Sequence, residues 1–288
     1  MILITGATGT IGRHLRAQLA GAGAPVRVLV RDPAKLGDLR DRLDVVVGDL
    51  DAPDTPHRAL AGVTKLFLLS PGPDVPAQDA ALIHAAAAAA VEHVVMLSSL
   101  GAELGGIGGG KPHLPGEALL RESGLAWTLL HPSEFMSNTL WWRDTITTAG
   151  AIFAPTGTGR VGFIDPADIA AVAAHVLATD GHHGKTYRLT GPETLTTAEI
   201  ATHLAATLDR PVRHVDLPED TFRANLEQAG LPQPLIDMQI EYCAAIKAGT
   251  VDIVTDDVPD LLGRPAGNYP AWATRHKTEF AALTGSPR

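Results

Sequence analysis

Along the first 130 residues, short β-type runs alternate with segments whose apolar residues recur at helical spacing. Residues 1–5 form the first such run. Behind them, Ile11-Gly12-Arg13-His14-Leu15-Arg16-Ala17-Gln18-Leu19 has the helical period, and Gly21 and Gly23 stop it. Val26–Val30 is β-branched, uninterrupted by polar residues except Arg27, and short enough to be a buried parallel strand. A βαβ unit is therefore complete within about 30 residues. Further strands are predicted at 45–47, 65–69, 93–97 and 127–130, with helical segments such as 77–90 and 117–122 between them. This alternation predicts an α/β fold, a doubly wound parallel sheet with helices on both faces.

Beyond about residue 150 the pattern loosens. Residues 150–159 are irregular, a helix is expected over 166–178 and a strand over 186–189, and Thr196-Thr197-Ala198-Glu199 has the form of a capping box. Two helices are expected within 217–247, parted by Gly230-Leu231-Pro232. The reading is a dinucleotide-binding domain over residues 1–150 and a smaller C-terminal α+β portion over 151–288 that covers the substrate and is interleaved with it. The glycine-rich segment 101–110 follows the fifth strand, where such a sheet binds ligands, and is read either as part of the site or as a surface connection.

Composition narrows the function classes. The chain of 288 residues is 45% hydrophobic and 19% charged, ordinary for a globular protein. Its 23 basic and 32 acidic residues give a net charge of −9, spread along the chain, which disfavours nucleic acid as a partner. The lone cysteine, Cys243, has no partner for an internal bridge and reads as a small buried apolar residue. The longest apolar stretch, 80–97, is interrupted by His84, Glu92 and His93, so no membrane span is expected. The first residues carry no leader pattern, and a cytoplasmic location is expected. No metal is expected.

The sharpest motif is Gly6-Ala7-Thr8-Gly9-Thr10-Ile11-Gly12, which sits between the first strand and the first helix. Gly6 permits the tight turn, Gly9 lets backbone approach a pyrophosphate, and Gly12 lets helix and strand pack closely. The helix N-terminus meanwhile offers amides to the anion. This is a Rossmann fingerprint, so Thr8, Thr10 and Ile11 join the glycines as expected cofactor contacts. At the end of the second strand, where an NAD-specific domain often has an acid, stands Arg31. A guanidinium there suits a 2′-phosphate and has no acceptor for a ribose hydroxyl. Lys35 adds charge, while Asp32 before Pro33 reads as a helix cap. The cofactor expected is NADP(H). The ends of the later strands contribute Asp49 and Leu50, Leu69, Ser70 and Pro71, and Ser98 and Ser99.

With these residues the chain resembles the NmrA-like group of atypical short-chain dehydrogenases/reductases, which includes the type 2 NADPH:quinone oxidoreductases. The resemblance spans nearly the whole length. It also rests on Met96-Leu97-Ser98-Ser99, on 123–132 with Phe135-Met136-Ser137-Asn138, and on Phe163-Ile164-Asp165 with Asp168-Ile169-Ala170. It implies that Pro132 and Phe135 border the nicotinamide and that Met136 lines the substrate pocket. The Tyr-x-x-x-Lys pair of typical short-chain dehydrogenases is missing, and the corresponding region reads Lys111-Pro112-His113-Leu114-Pro115-Gly116-Glu117. His113 and Glu117 share a helical face if Pro115 lies in the first turn. Two readings stand for them: a proton-donating His113 whose tautomer Glu117 sets, or a locally paired Glu117 beside a surface histidine. Lys111 is a further possible electrophile. His131 stands where relatives usually carry arginine. Trp141 is read as a stacking residue for a planar substrate, or with Trp142 as helix packing, and Trp272 as structural. The expected activity is hydride transfer from NADPH to a quinone or conjugated aromatic carbonyl compound, by a monomer or small homo-oligomer. A redox-sensing regulator that binds NADP(H) without turnover, and a tailoring enzyme of aromatic polyketide-type metabolites, are the alternatives.

Overall fold

Runs of Val, Ile and Leu become strands because β-branched side chains fit a surface covered on both faces. The computed structural model describes residues 1–72 and 74–281. Its strands are, in chain order, β1 (Ile2–Ile4), β2 (Val26–Val30), β3 (Asp44–Val47), β4 (Lys65–Leu68), β5 (His93–Leu97), β6 (Ala126–Pro132), β7 (Glu134–Phe135), β8 (Ala151–Phe153), β9 (Arg160–Ile164), β10 (Lys185–Leu189), β11 (Thr194–Thr196) and β12 (Arg213–Val215). The chain divides into two compact units. The first takes Met1–Pro132, Pro166–Leu189 and Asp260–Gly263; the second takes Ser133–Asp165, Thr190–Pro259 and the described residues from Arg264 onward. The units alternate along the chain.

The first unit is built on a seven-stranded sheet in the order β10-β6-β5-β4-β1-β2-β3. All its pairings are parallel, with Ile4 opposite both Val28 of β2 and Phe67 of β4. The order reverses between β1 and β4, so the crevice at their carboxyl ends is the topological switch point. On one face, Leu3, Leu66, Leu68, Val94, Met96 and Leu129 pack against Leu82 and Ile83 of the helix Val75–Ala88 and Leu120 of the helix Leu114–Glu122. The helices Gly12–Gly21 and Pro166–Ala178 pack against each other, burying Leu15, Leu19, Ile169, Val172 and Ala173.

The segment 101–110 folds on itself. Ser99 caps a short helix, Leu100–Glu103, by accepting from the Gly101 amide at 3.1 Å, and a 3₁₀ turn follows at Gly108–His113. Two of its glycines are a packing requirement: a Cβ on Gly110 would lie 2.2 Å from the Ala102 nitrogen, and one on Gly101 would lie 2.3 Å from the Ile107 carbonyl oxygen. Asp32 caps as expected, accepting from the Ala34 amide at 3.0 Å. The helix it starts is a 3₁₀ pair broken at Gly37.

The second unit holds a three-stranded sheet, β11-β9-β7, and a two-stranded one, β12-β8. The capping box forms: Thr196 accepts from the Glu199 amide at 3.1 Å and Glu199 accepts from the Thr196 amide at 2.8 Å. The two helices expected within 217–247 are Glu219–Gln228 and Gln233–Lys247. Cys243 is buried on the second of these, and Trp272 is buried and stacked on His276 with ring centroids 4.5 Å apart. Among the described residues no helix is long and apolar enough to cross a membrane.

Gly12 is the tightest point of the first βα turn, since a Cβ there would stand 2.2 Å from the Gly6 carbonyl oxygen. Gly12→Ala is expected to lower the unfolding free energy by roughly 1–3 kcal/mol, the usual cost of overpacking. Gly21, at the other end of the same helix, has open space around its Cβ position. Gly21→Ala is expected to stabilise by about 0.4–1 kcal/mol through the unfolded chain. Urea denaturation of the two variants beside the parent measures both signs.

Candidate functional site

The carboxyl edge of the first unit's sheet gathers the residues expected to hold a nucleotide. Gly6 has φ of +64°, and a Cβ there would lie 2.7 Å from the Leu69 side chain. Leu69 is fixed in turn by Thr5, whose hydroxyl accepts from the Leu69 amide at 2.8 Å and lies 2.9 Å from the Leu69 carbonyl. The Gly9 amide closes the turn on the Gly6 carbonyl at 3.0 Å. Ile11 is buried beneath, while Thr8, Gly9 and Thr10 are exposed at the loop tip. The helix that follows has no acidic residue in its first turn to compete for its positive end. The turn has no room for a β-carbon at Gly6 or Gly12 and leaves the backbone of Thr8, Gly9 and Thr10 exposed, so the residues present fit a pyrophosphate.

Arg31 extends beyond β2 with its side chain 76% exposed, and its nearest carboxylate, Asp49, is 3.9 Å away. Such an exposed pair is weak and leaves the guanidinium available. Lys35 is exposed nearby in sequence. The structure adds a third cation that the sequence reading missed. Arg16 is buried, donates from Nη2 to the Lys35 carbonyl at 3.3 Å, and has no hydrogen-bond partner for Nε or Nη1 among the described residues. Desolvation lowers its pKa. Its charge stands out from a helix face that is otherwise apolar, with Leu15 and Leu19, and this was the available signal. Arg16, Arg31 and Lys35 together have the donor chemistry of a 2′-phosphate site.

Other expected contacts have different occupations. Leu50 belongs to the hydrophobic core, and Asp49 accepts from the Asp51 amide at 3.2 Å within its own turn. Pro71 is exposed. The Ser70 hydroxyl donates to buried Asp79 at 2.6 Å. Burial raises the Asp79 pKa to about 6 against the opposing effect of that bond. The Ser98 hydroxyl likewise donates to Glu117, at 2.5 Å. Both serines therefore line their loops with backbone, their hydroxyls being turned to carboxylates.

A polar cluster surrounds Glu117. The helix Leu114–Glu122 has Pro115 in its first turn, His113 just before it and Glu117 buried on its inner side. Besides Ser98, Glu117 meets His131 Nε2 at 2.8 Å and Arg121 at 3.0 Å. His131 is 2% exposed, and its Nδ1 reaches Glu103 at 3.2 Å, which is itself paired with Arg188. Thus His131 bridges two carboxylates. Burial pushes the Glu117 carboxyl up, but the His131 and Ser98 hydrogen bonds and the charges of His131 and Arg121 outweigh it and hold the pKa below its ordinary value. His113 is half-buried, and its Nδ1 has no hydrogen-bond partner among the described residues. Desolvation lowers its pKa despite the charge of Glu117, so its imidazole is neutral at neutral pH. Glu117 acts on it by charge, its own hydrogen bonds going to Ser98 and His131. Lys111 is exposed on the 3₁₀ turn.

The second unit contains a cavity of about 1040 Å³ whose walls include Trp141, Trp142, Phe153, Phe163, Phe222 and Tyr242. Trp141 is 68% exposed, so its ring is not committed to core packing. Met136 is 1% exposed and packs close to Gly191 in the core rather than in the cavity wall. Phe135 pairs with Ile164 in the sheet, and Pro132 ends β6 opposite Leu189. No metal-holding group of three His, Cys, Asp or Glu residues occurs among the described residues.

A depressed carboxylate stabilises the fold above its unfolded pKa and loses that contribution as pH falls through the folded value. Glu117→Gln is therefore expected to cost about 1–3 kcal/mol at pH 7, the penalty for disturbing a buried hydrogen-bonded charge. The difference from the parent should shrink towards zero as the medium is acidified below the ordinary carboxylate range. Paired urea titrations across that range check the sign; a constant difference contradicts the assigned role.

Comparisons with known proteins agree with this geometry. A family described as NAD(P)H-binding matches residues 6–180. The chain is 38% identical to the NAD(P)H azoreductase of Xenophilus azovorans over 98% of its own length and 100% of the relative's. Its fold matches the crystal structure of the NADPH-dependent quinone oxidoreductase QOR2 of Escherichia coli complexed with NADPH, with a TM-score of 0.87 and 30% identity. That match covers 96% of this chain and 100% of the other. The triphenylmethane reductase of Citrobacter sp. complexed with NADP(H) matches with a TM-score of 0.83 and 28% identity, over 96% and 99% of the two chains. With its seven-stranded parallel sheet and its glycine cradle, the chain belongs to the NAD(P)H-binding, NmrA-like atypical short-chain dehydrogenases/reductases and is an NAD(P)H-dependent oxidoreductase.

Proposed function

We propose that the chain uses NADPH to reduce planar, electron-poor aromatic acceptors: a quinone, an azo compound or a conjugated aromatic carbonyl. The observation that carries this reading is the aromatic-walled cavity of the second unit, with Trp141, Trp142, Phe153, Phe163 and Phe222 around about 1040 Å³. Planar rings gain stacking energy against such walls in addition to the burial of their area. The chemistry fits what the sequence lacks. Without the Tyr-x-x-x-Lys pair there is no strong acid assistance for an unactivated ketone, whereas an electron-poor ring accepts hydride with little. The relatives named as an azoreductase, a quinone oxidoreductase and a triphenylmethane reductase support the same class.

In this reading the bound cofactor supplies the hydride, and the chain's residues hold it and tune its surroundings. Gly6, Thr8, Gly9, Thr10, Ile11 and Gly12 receive the pyrophosphate. Arg31, Lys35 and Arg16 receive the 2′-phosphate, and the backbone at Asp49, Leu50, Leu69, Ser70 and Pro71 borders the adenosine. Ser98, Ser99 and Pro132 complete the cofactor-binding set. Glu117, fixed by Ser98 and His131, sets the field in which a neutral His113 acts, with Lys111 as an additional cation. Trp141 serves the acceptor; Met136 supports the site from the core.

The test is a single-turnover measurement in which NADPH bound to the protein is mixed with simple quinones, azo dyes and aromatic ketones and its absorbance followed. Rapid oxidation by members of this panel is expected. A reduced complex stable towards all of them overturns the reading and favours a sensor of the NADP(H) redox state. Arg31→Ala is expected to weaken NADPH binding roughly ten- to hundredfold, as loss of one or two charge-assisted hydrogen bonds does. NADH binding should change little. Calorimetric titration of both cofactors checks this, and equal losses contradict the 2′-phosphate assignment.

A further inference from the structure

Two acids line the cavity of the second unit, Glu134 and, beside Arg143, Asp144, and the cofactor chemistry leaves Glu134 unexplained. Glu134 lies on β7, half-buried, and lines the cavity together with Asn138 and Tyr242. Asn138 Nδ2 donates to the Glu134 Oε1 at 2.7 Å, and the Tyr242 hydroxyl hydrogen-bonds the same carboxyl. Tyr242 comes from the helix Gln233–Lys247, far away in sequence, so the pair exists only through the tertiary fold. A neutral carboxyl has one O–H of its own. With Asn138 and Tyr242 both donating to its oxygens, that O–H has no described partner except whatever enters the cavity.

We propose that the Glu134 carboxyl, held by Asn138 and Tyr242, is the hydrogen-bond donor that selects uncharged planar ligands bearing an acceptor heteroatom in this cavity. The proposal rests on the acceptor class inferred above and names the residue that recognises it. A carbonyl oxygen or an azo nitrogen fills the open donor position. The surroundings favour the neutral acid. Burial among the aromatic walls raises the Glu134 pKa, and the two donated bonds only partly oppose this. The other titratable groups near it do not take over the role. Burial, the largest cause for both, pushes Tyr242 well above its ordinary value and Cys243 up to about 12. Arg143 and Asp144 also line the cavity, their charged groups 3.5 Å apart.

A raised carboxyl is a donor below its folded pKa and loses that capacity as pH rises through it. Binding through Glu134 should therefore weaken with increasing pH. Trp141 and Trp142 in the wall provide the signal. Menadione is titrated into the full-length protein without any nicotinamide cofactor, and tryptophan quenching is read from pH 5 to pH 10. The parent is expected to bind roughly tenfold more weakly at the alkaline end, the loss of one buried hydrogen bond with a charge left in its place. Glu134→Gln keeps an N–H donor and cannot ionise, so its affinity should be flat with pH. Glu134→Leu should bind at the parent's weak alkaline level throughout. Circular dichroism and urea midpoints of each variant report whether the fold is intact. Absence of menadione binding at every pH, a flat parent, or a Glu134→Gln profile that still falls like the parent's overturns the proposal. The two readings fail separately. Rapid NADPH oxidation by quinones with no Glu134 signature removes this inference alone. The predicted binding profile without any NADPH oxidation removes the reductase reading and leaves the cavity's ligand class in place.

Discussion

The close approach of the first helix to the first strand is the constraint on which the nucleotide edge depends. The turn at Gly6 places its carbonyl so near Gly12 that any β-carbon there would overlap it, and the Gly6 α-carbon faces Leu69 with room for hydrogen only. Leu69 is clamped by both hydrogen-bonding capacities of the Thr5 hydroxyl, so the ends of β1 and β4 are locked together at the point where the strand order reverses. The loop tip between them is left exposed, with the helix N-terminus behind it. A binding edge made of backbone therefore follows from packing, since the side chains that would fill it are sterically excluded.

Away from that edge, the first unit commits its polar residues to one another. Ser70 is spent on Asp79, and Ser98 and His131 on Glu117. The contacts of Glu117 satisfy a buried carboxylate that would otherwise cost several kcal/mol to desolvate, whereas Asp79 keeps its Oδ2 without a hydrogen-bond partner among the described residues. They also fix the loop after β5 to the helix Leu114–Glu122. Because Glu103 and Arg188 extend the chain of contacts through His131, the field around His113 is set by residues from four segments of the sequence. The neutral state of His113 and the charged state of Glu117 are two results of one desolvated network: the first lacks a hydrogen-bond partner at Nδ1, the second has several.

In the second unit the balance is different. The cavity has aromatic and apolar walls, and its polar lining includes Glu134 with Asn138 and Tyr242 and the pair Arg143 with Asp144. A pocket of this kind discriminates by shape and by a small number of hydrogen bonds. Trp272, Tyr269 and Phe280 are buried and form with His276 a separate aromatic cluster that makes up the packing of the C-terminal helices, while Trp141 remains substantially exposed.

By itself the sequence determined what local periodicity and covalent geometry encode. The parallel strands, the helix Pro166–Ala178, the Thr196–Glu199 capping box, the Asp32 cap and the glycine turn were legible because each depends on residues within a few positions of one another. The family was legible as well, since its motifs are local. What only the tertiary structure decided are pairings between distant segments. The sequence offers Glu117 a partner at His113, four residues away, whereas the fold brings it His131 and Ser98 from two neighbouring strand ends. Arg16 reads as one more helical residue until burial against the segment after β2 strands its guanidinium. Met136 and Leu50 follow strand ends and look available to a ligand, yet their apolar side chains find the core first. Glu134 and Tyr242 are 108 positions apart, and no spacing rule joins them. Spacing fixes which residues share a face, but burial, which decides whether a charge is paired, stranded or neutral, is a property of the packed chain.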